Sequence, residues 1–375
     1  MHSIKGAPFF RIALAVALAA VSLSVGAEIR IGQVAAFSGP VAAGVKEITK
    51  GAQLYFDSVN AEGGINGQPI KLISVDDRFD PQRSHEGALE LIEKQRVHAL
   101  FLTRGTPHAQ AIKPLLRKHQ TPLIAPSTGA MVLHEPVDPW IFNVRATYQR
   151  EAAKAIEHLV TIGITRIALL VTDDSFGEDA LQGASRALQK ARLEPVLVMK
   201  FPREKADFKR VGKTLADATP QAFLVIASAR NTVAAIGSAR EHGSRAQAVT
   251  LSNNASSGFI QELGDLGRGT IVTQVFPNER SVAFPFVKNA LKRARELGVD
   301  ELSPAMLEGY AAAMVLTEGI RLVGKDLTPV ALRNALENMR NFNLGGLEVT
   351  YGANDHTGLD FVDLSIIDAS GRFRR

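Results

Sequence analysis

The sequence of 375 residues contains no cysteine. Without a thiol, the chain forms no disulfide, no thiolate zinc site, no iron–sulfur cluster and no lipidated cysteine anchor. An excess of one charge is also missing, since 43 basic and 38 acidic residues give a net charge of +5. A balance this mild does not indicate a nucleic-acid partner. With 46% hydrophobic and 22% charged residues, the composition excludes a disordered chain and a polytopic membrane protein.

Long apolar runs are missing except near the N-terminus. Residues 12–25 carry no charge and follow a short segment with two basic and no acidic residues. This run is shorter than the ~20 residues of a membrane-spanning helix. It ends in Val25-Gly26-Ala27, small residues of the kind that signal peptidase recognises. We therefore predict that residues 1–27 are a signal peptide and that the mature protein, lacking a lipid anchor, diffuses in the periplasm.

From residue 28 onward, strand-like and helix-like patterns alternate along the chain. Apolar strands such as 28–37, 70–75 and 166–171 are each followed by a segment with apolar residues at helical spacing. This alternation predicts an α/β fold with parallel sheets covered on both faces. Because the alternation restarts after residues 140–144, we predict two doubly wound lobes. Ligands of such sheets bind beyond the carboxyl ends of the strands, so the loops there are the candidate sites.

Sequence motifs of catalysis are missing. The chain has no Gly-x-Ser-x-Gly nucleophile elbow, no Gly-x-Gly-x-x-Gly loop after a strand, and no histidine pair at the spacing of a metal-binding helix. The run from Gly319 to Lys325 resembles a P-loop, but Asp326 stands where magnesium binding needs serine or threonine. We therefore predict that the chain is not an enzyme and that it uses no metal and no cofactor.

Two polar loops of the first lobe favour ligand binding. Gly105-Thr106-Pro107 opens a helix, whose first backbone N–H groups lack helical partners and attract an anion. Ser127-Thr128-Gly129 follows the next strand and offers two hydroxyl groups. Taken singly, each loop is equally explained by ordinary turn formation. Because the two loops follow parallel strands, we expect them to be neighbours that together hold a carboxylate or another anion.

The spacing of several motifs resembles that of the leucine/isoleucine/valine-binding proteins, the substrate-binding components of ABC importers. The resemblance covers essentially all of residues 28–375 and rests on Ser38-Gly39-Pro40, Gly63-Gly64-Ile65-Asn66-Gly67, Asp76-Asp77, Phe142-Asn143-Val144-Arg145 and Gly345-Gly346-Leu347. It implies the type I periplasmic binding fold, in which a three-crossing hinge joins two lobes that close on a ligand. The lobes predicted here are residues 28–145 plus 277–350 and residues 146–276 plus 351–375.

The resemblance also implies which residues contact the ligand. The loops at Gly105-Thr106 and Ser127-Thr128-Gly129 match those that hold an α-carboxylate, and Phe176 matches an aromatic residue that covers it. The acid that holds the α-ammonium in amino-acid binders has no counterpart in Ser252-Asn253-Asn254. The complete set of predicted ligand contacts is Phe37, Arg104, Gly105, Thr106, Ser127, Thr128, Gly129, Tyr148, Phe176, Arg230, Asn253 and Asn254.

Two cations accompany this missing acid. Arg104 stands beside the first loop, and Arg230 follows the strand predicted at 222–227. We therefore expect a small carboxylate or amide-like ligand that need not be a branched-chain amino acid. The alternative is an amino-acid ligand, with both arginines facing solvent and another acid, such as Asp173, holding the ammonium.

The resemblance implies a small-molecule ligand and an ABC permease of the inner membrane as partners, and no nucleic acid. A second function remains open, because the same fold also serves in receptors that present a closed, ligand-bound form to a sensor kinase or a chemoreceptor. In either role, ligand binding shifts an open–closed equilibrium by its preference for the closed form.

Overall fold

A computed structural model describes His2 and residues 28–375. The predicted signal peptide, residues 1–27, lies outside the described residues apart from His2. Within the described part, none of the helices combines the length and apolarity that crossing a membrane requires. The helices and strands form two large sheets and a helical segment that packs on the first of them.

The first sheet is entirely parallel, with the strand order β2-β1-β3-β4-β5. Its register places Ile31 opposite both Leu72 and Ala99. Separate hydrophobic cores cover its two faces, as the near-continuous apolar character of the strands predicts. The strands are β1 (Ile29–Ala35), β2 (Ile70–Asp76), β3 (Ala99–Phe101), β4 (Leu123–Ile124) and β5 (Ile141–Phe142); the connecting helices are α1 (Ala42–Ala61), α2 (Pro81–Glu93) and α3 (Thr106–His119).

The second sheet has the order β14-β13-β10-β9-β8-β6-β7 and is also covered on both faces. Strands β6 to β10 are parallel. The strands are β6 (Ile167–Thr172), β7 (Leu197–Phe201), β8 (Ala222–Ile226), β9 (Gln247–Thr250), β10 (Ile271–Gln274), β13 (Asp363–Ile367) and β14 (Phe373–Arg374); the helices are α4 (Tyr148–Thr161), α5 (Ser175–Lys190), α6 (Phe208–Asp217), α7 (Ala229–Glu241) and α8 (Ser257–Leu263).

The structure has the predicted parallel sheets, and antiparallel strands extend one edge of the second sheet. Strand β13 runs antiparallel to β10, with Ile271 opposite Ile366. The chain leaves β10 at its carboxyl end, and the next residues, Val275 and Phe276, enter the core of the first sheet. When the chain returns, the backbone N–H of Leu359 donates to the carbonyl oxygen of Val144, which lies where the chain first passes from the first sheet to the second. The returning strand therefore enters from the carboxyl edge and runs in the opposite direction.

Residues 277–350, between strand β10 and the return of the chain to the second sheet, add helices to the hydrophobic core of the first sheet. Helices α9 (Pro285–Glu296), α10 (Pro304–Val323) and α11 (Pro329–Glu337) bury Phe286, Tyr310 and Leu332 there, followed by the hairpin of β11 (Phe342–Asn343) and β12 (Glu348–Val349). Helices α1 and α10 approach so closely that a Cβ on Gly309 would lie 1.8 Å from the carbonyl oxygen of Ile48. This packing is compatible with the predicted lobes, whose boundaries stay a prediction.

Candidate functional site

A cavity lies among loops that follow the strands of both sheets. Every lining residue comes after a strand or at the start of a helix, so the carboxyl ends of the two sheets face one another here. This is the position at which parallel α/β sheets bind ligands. The lining consists of Val41, Phe79, Arg104, Gly105, Thr106, Tyr148, Phe176, Arg203, Ser228 and Asn253.

Arg104 is the cation at the centre of this cavity, and its side chain is only 6% exposed. One guanidinium nitrogen, Nη1, donates to the hydroxyl of Ser127 at 2.8 Å. The other, Nη2, donates to the backbone carbonyl oxygen of Asn253 at 2.6 Å and thereby joins the two sheets' loops. Both acceptors are neutral, and among the described residues no carboxylate oxygen lies within 4.0 Å of this guanidinium.

A buried polar network is hydrogen-bonded to Arg104 through Ser127. The Ser127 hydroxyl donates to Glu308 at 2.6 Å, and Glu308 lies 3.7 Å from the guanidinium of Arg145. Arg145 also bonds to Glu151 and to the hydroxyl of Ser252. Burial disfavours the charge on Arg145, but the two glutamates outweigh burial and raise its pKa. Ser252 therefore belongs to this network, because its backbone N–H also donates to Glu151.

The first predicted loop has the geometry that its sequence requires. Gly105 has a φ of +99°, and a Cβ there would lie 2.7 Å from Nδ1 of His108. Thr106 and Thr128 are fully buried and share a hydrogen bond of 2.7 Å between their hydroxyl groups. His108 is also fully buried, and burial lowers its pKa to about 4. The histidine is thus neutral at pH 7, and the positive charge at this site comes from arginine.

Aromatic rings form the apolar wall of the cavity. Tyr148 and Phe176 meet edge to face, with their ring centroids 4.7 Å apart. Phe79 is covered by the guanidinium of Arg203, whose central carbon lies 4.7 Å from the ring centroid. Arg203 is paired with Asp174, which also caps helix α5 by accepting from the backbone N–H groups of residues 176 and 177.

Six of the predicted contact residues line this cavity: Arg104, Gly105, Thr106, Tyr148, Phe176 and Asn253. Ser127 and Thr128 lie behind them and hold Arg104 and Thr106 in place. Gly129 has a packing role, since a Cβ there would lie 2.5 Å from the carbonyl oxygen of Ala146.

The structure places the other three predicted residues outside this cavity. The side-chain amide of Asn254 is buried and donates to Ala227, Thr232 and Thr250. Phe37 packs against a small apolar cluster formed around Val41 and Val45. Arg230 is exposed and lines a second cavity.

That second cavity shares Val41, Arg104 and Asn253 with the first. It extends along the loop 39–44 at the start of α1 and contains Arg230 and Glu262 on its lining. The two cavities therefore adjoin at Arg104 and Asn253 in the cleft between the loops of the two sheets, and Arg230 belongs only to the second cavity.

Phe79, Arg203 and Ser228 line the first cavity but were missed in the sequence. Their position in the sequence could have identified them, because Phe79 follows the carboxyl end of β2, Arg203 that of β7 and Ser228 that of β8. None of them lies in a distinctive motif, and Phe79 reaches the cavity from a loop whose backbone has a positive φ. The acid suggested for an ammonium, Asp173, is exposed and does not line the cavity.

Direct contacts hold the two sides of the cleft together. Glu47 of α1 accepts from the backbone N–H groups of Ser257 and Gly258, at 3.0 and 2.8 Å, where α8 begins. The hydroxyl of Ser175 at the start of α5 donates to Gln110 of α3 at 2.7 Å. With the bond from Arg104 to Asn253, these contacts link loops of the first sheet directly to loops of the second.

Comparison with known proteins gives consistent matches over almost the whole chain. The family described as periplasmic binding protein matches residues 28–365. A Leu/Ile/Val-binding protein homolog of Brucella suis is 25% identical over 368 residues, which cover 91% of this chain and 88% of the relative.

Two solved structures share this fold. A possible leucine/isoleucine/valine-binding protein from Rhodopirellula baltica has a TM-score of 0.86 at 27% identity, covering 94% of this chain and 97% of its own. A substrate-binding periplasmic protein from Ralstonia solanacearum has a TM-score of 0.85 at 30% identity, covering 92% of this chain and 99% of its own.

Proposed function

We propose that this chain, which belongs to the periplasmic binding protein family, is the substrate-binding protein of an ABC importer. Family membership confirms the resemblance that was inferred from the sequence motifs. It also confirms the predicted α/β fold, which is that of type I periplasmic binding proteins. Because the family consists of substrate-binding proteins, the prediction that the chain is not an enzyme is also confirmed. The importer role and the ligand are the parts that we propose.

The observation that supports a capture role most strongly is the composition of the cavity wall. Arg104, Gly105 and Thr106 come from a loop of the first sheet, whereas Phe176 and Asn253 come from loops of the second. A ligand at this position touches both sides only when they are together, so its binding energy favours the closed form. In this proposal, the lobes are residues 28–145 plus 277–350 and residues 146–276 plus 351–375.

The proposed cycle takes place outside the inner membrane. The signal peptide at 1–27 directs export, and the mature chain diffuses in the periplasm without a lipid anchor. It closes on a small solute that carries a carboxylate, and the closed form docks on an ABC permease. Docking then opens the lobes and delivers the solute to the permease.

An uptake assay distinguishes this role from ligand sensing. Membrane vesicles that contain the permease and its ATPase are supplied with the purified protein and the radiolabelled solute that is extracted from it. We expect uptake that requires ATP and increases with the amount of added protein. If the permease takes up the solute equally well without the protein, the importer role is contradicted and a sensing role is favoured.

A further inference from the structure

We infer that the ligand of the first cavity, which Arg104 and Phe176 line, is a carboxylate without an ammonium group and that Arg104 receives the carboxylate. This inference rests on the proposed function, because it names the class of solute captured at that site. It assigns no contact to Arg230, which lines only the second cavity. Such a ligand differs from an amino acid, which carries an ammonium group as well as a carboxylate.

The state of Arg104 is the first reason. A buried cation is costly unless an opposite charge compensates it. The described partners of this guanidinium are a hydroxyl and a backbone carbonyl, which carry no net charge. A guanidinium has five N–H donors, and two hydrogen bonds leave the others for a further acceptor. A ligand carboxylate supplies a negative charge in direct contact and a bidentate acceptor, whereas Glu308 reaches Arg104 only through the hydroxyl of Ser127.

The charges around the cavity are the second reason. Its charged lining residues are Arg104 and Arg203, and no aspartate or glutamate belongs to the described lining. Of the nearby acids, Asp174 pairs with Arg203, Glu308 accepts from Ser127, and Glu262 is exposed and lines only the second cavity. Because Asp174 compensates Arg203, a ligand ammonium would be desolvated beside Arg104 with no acid left to pair with it, which opposes its binding.

The remaining lining defines the rest of the ligand. Phe79, Tyr148 and Phe176 offer aromatic surface, which suits an apolar and preferably flat body. The side-chain oxygen of Asn253 is buried and has no hydrogen-bond partner among the described residues. It suits a neutral donor on the ligand, such as a hydroxyl group. An aromatic or branched aliphatic acid, with or without a hydroxyl group, fulfils these requirements.

Three matched probes test the inference by calorimetry on ligand-free full-length mature protein. 3-Phenylpropanoate, phenylalanine and 2-phenylethylamine share a phenylethyl body and differ in their charged groups. The aliphatic series consists of 4-methylpentanoate, leucine and 3-methylbutan-1-amine. In at least one series, we expect the carboxylate to bind at least ~10-fold more tightly than the amino acid, and the amine not to bind. Failure of both carboxylates to bind, or an amino acid that binds as tightly as its carboxylate, overturns the inference.

Two arginine variants locate the carboxylate. Arg104→Gln keeps a polar side chain but removes the charge, and we expect it to weaken carboxylate binding by at least ~30-fold. Arg230→Gln is the matched control, because Arg230 is exposed and lines only the second cavity. We expect it to change the dissociation constant by less than ~2-fold. Equal effects of the two substitutions, or unchanged binding to the Arg104 variant, would refute the assignment.

The ligand class and the importer role fail in different ways. If the extracted solute is an amino acid and its uptake requires the protein, the ligand class is wrong and the importer role stands. If 3-phenylpropanoate or 4-methylpentanoate binds as expected but uptake of the extracted carboxylate is independent of the protein, the ligand class stands and the importer role is wrong.

Discussion

The two sides of the cleft differ in how their side chains are held. On the side of the first sheet, Arg104 and Thr106 are buried and bonded to Ser127 and Thr128 before any ligand arrives. On the side of the second sheet, Phe176 stands at the start of a helix and makes its edge-to-face contact with Tyr148. The difference indicates that the first side offers polar contacts for the ligand's charge, whereas the second offers aromatic surface for its apolar body.

The largest effect is expected from breaking the buried network beneath the second side. Glu151→Gln keeps the size of the side chain but leaves Arg145 with an incompletely compensated charge. We expect a loss of about 3 kcal/mol in the free energy of unfolding, measured by urea denaturation. Glu157→Gln on the same helix is the control, because its exposed ion pair with Lys190 contributes little. Similar denaturation midpoints for both variants would contradict the importance of the network.

A pH-dependent effect is expected on the first side, beneath the loop that carries Phe79. Burial raises the pKa of Asp77 to about 6, so the folded chain holds this proton more tightly than the unfolded chain does. The contribution of Asp77 to stability is therefore greatest at low pH and falls as the pH rises from ~4 to ~6. In Asp77→Asn the side chain is neutral at every pH, and its amide oxygen still accepts the hydrogen bond from the backbone N–H of Phe79.

We expect Asp77→Asn to be more stable than the parent protein at pH 7, by up to about 3 kcal/mol, and equally stable near pH 4. Urea denaturation at both pH values measures this difference. Asp179, beneath the second side, has a pKa that burial also raises to about 6, so part of the pH dependence remains in the variant. A parallel loss of stability at both pH values would show that the carboxyl group of Asp77 is not the titrating group.

A steric change at the closing contact is expected to act on affinity. An alanine Cβ at position 258 would lie 2.4 Å from Cβ of Ala43 across the cleft. Gly258→Ala should therefore disfavour closure and weaken 3-phenylpropanoate binding by ~10-fold, as measured by calorimetry. Gly44→Ala is the control, because its added Cβ would meet Ser256 at an ordinary 3.8 Å. Equal dissociation constants for the two variants would mean that closure does not require this contact.

The smallest effect is expected from the charge at the same contact. Glu47→Gln still accepts hydrogen bonds from the start of α8 but loses the favourable charge there. We expect binding to weaken by only ~3-fold, and the effect to decline with added salt. An effect as large as that of Gly258→Ala would assign closure to electrostatics instead of packing.

Much of the first side was predictable from the sequence, because its chemistry lies in short loops directly after strands. Gly105 and Thr106 were found as the start of a helix, and Arg104 as the residue before them. Phe79 and Arg203 were missed because their positions in the cavity depend on how the two sheets come together. Arg230 and Asn254 were predicted as contacts because the resemblance places them in ligand-binding loops, and a position in a loop does not specify the direction of a side chain. Strand β13 runs antiparallel for a similar reason, since its direction follows from the route of the returning chain.

The measurement that tests the central claim most directly identifies the solute carried by the purified protein. Freshly purified protein is examined by native mass spectrometry, and the solute is then released by denaturation and identified by its fragments. The cleft with Arg104 at its centre predicts a carboxylic acid without an amino group, retained by the parent protein and by Arg230→Gln but absent from Arg104→Gln. An amino acid in the cleft, or equal retention of the solute by the Arg104 variant, would contradict this account.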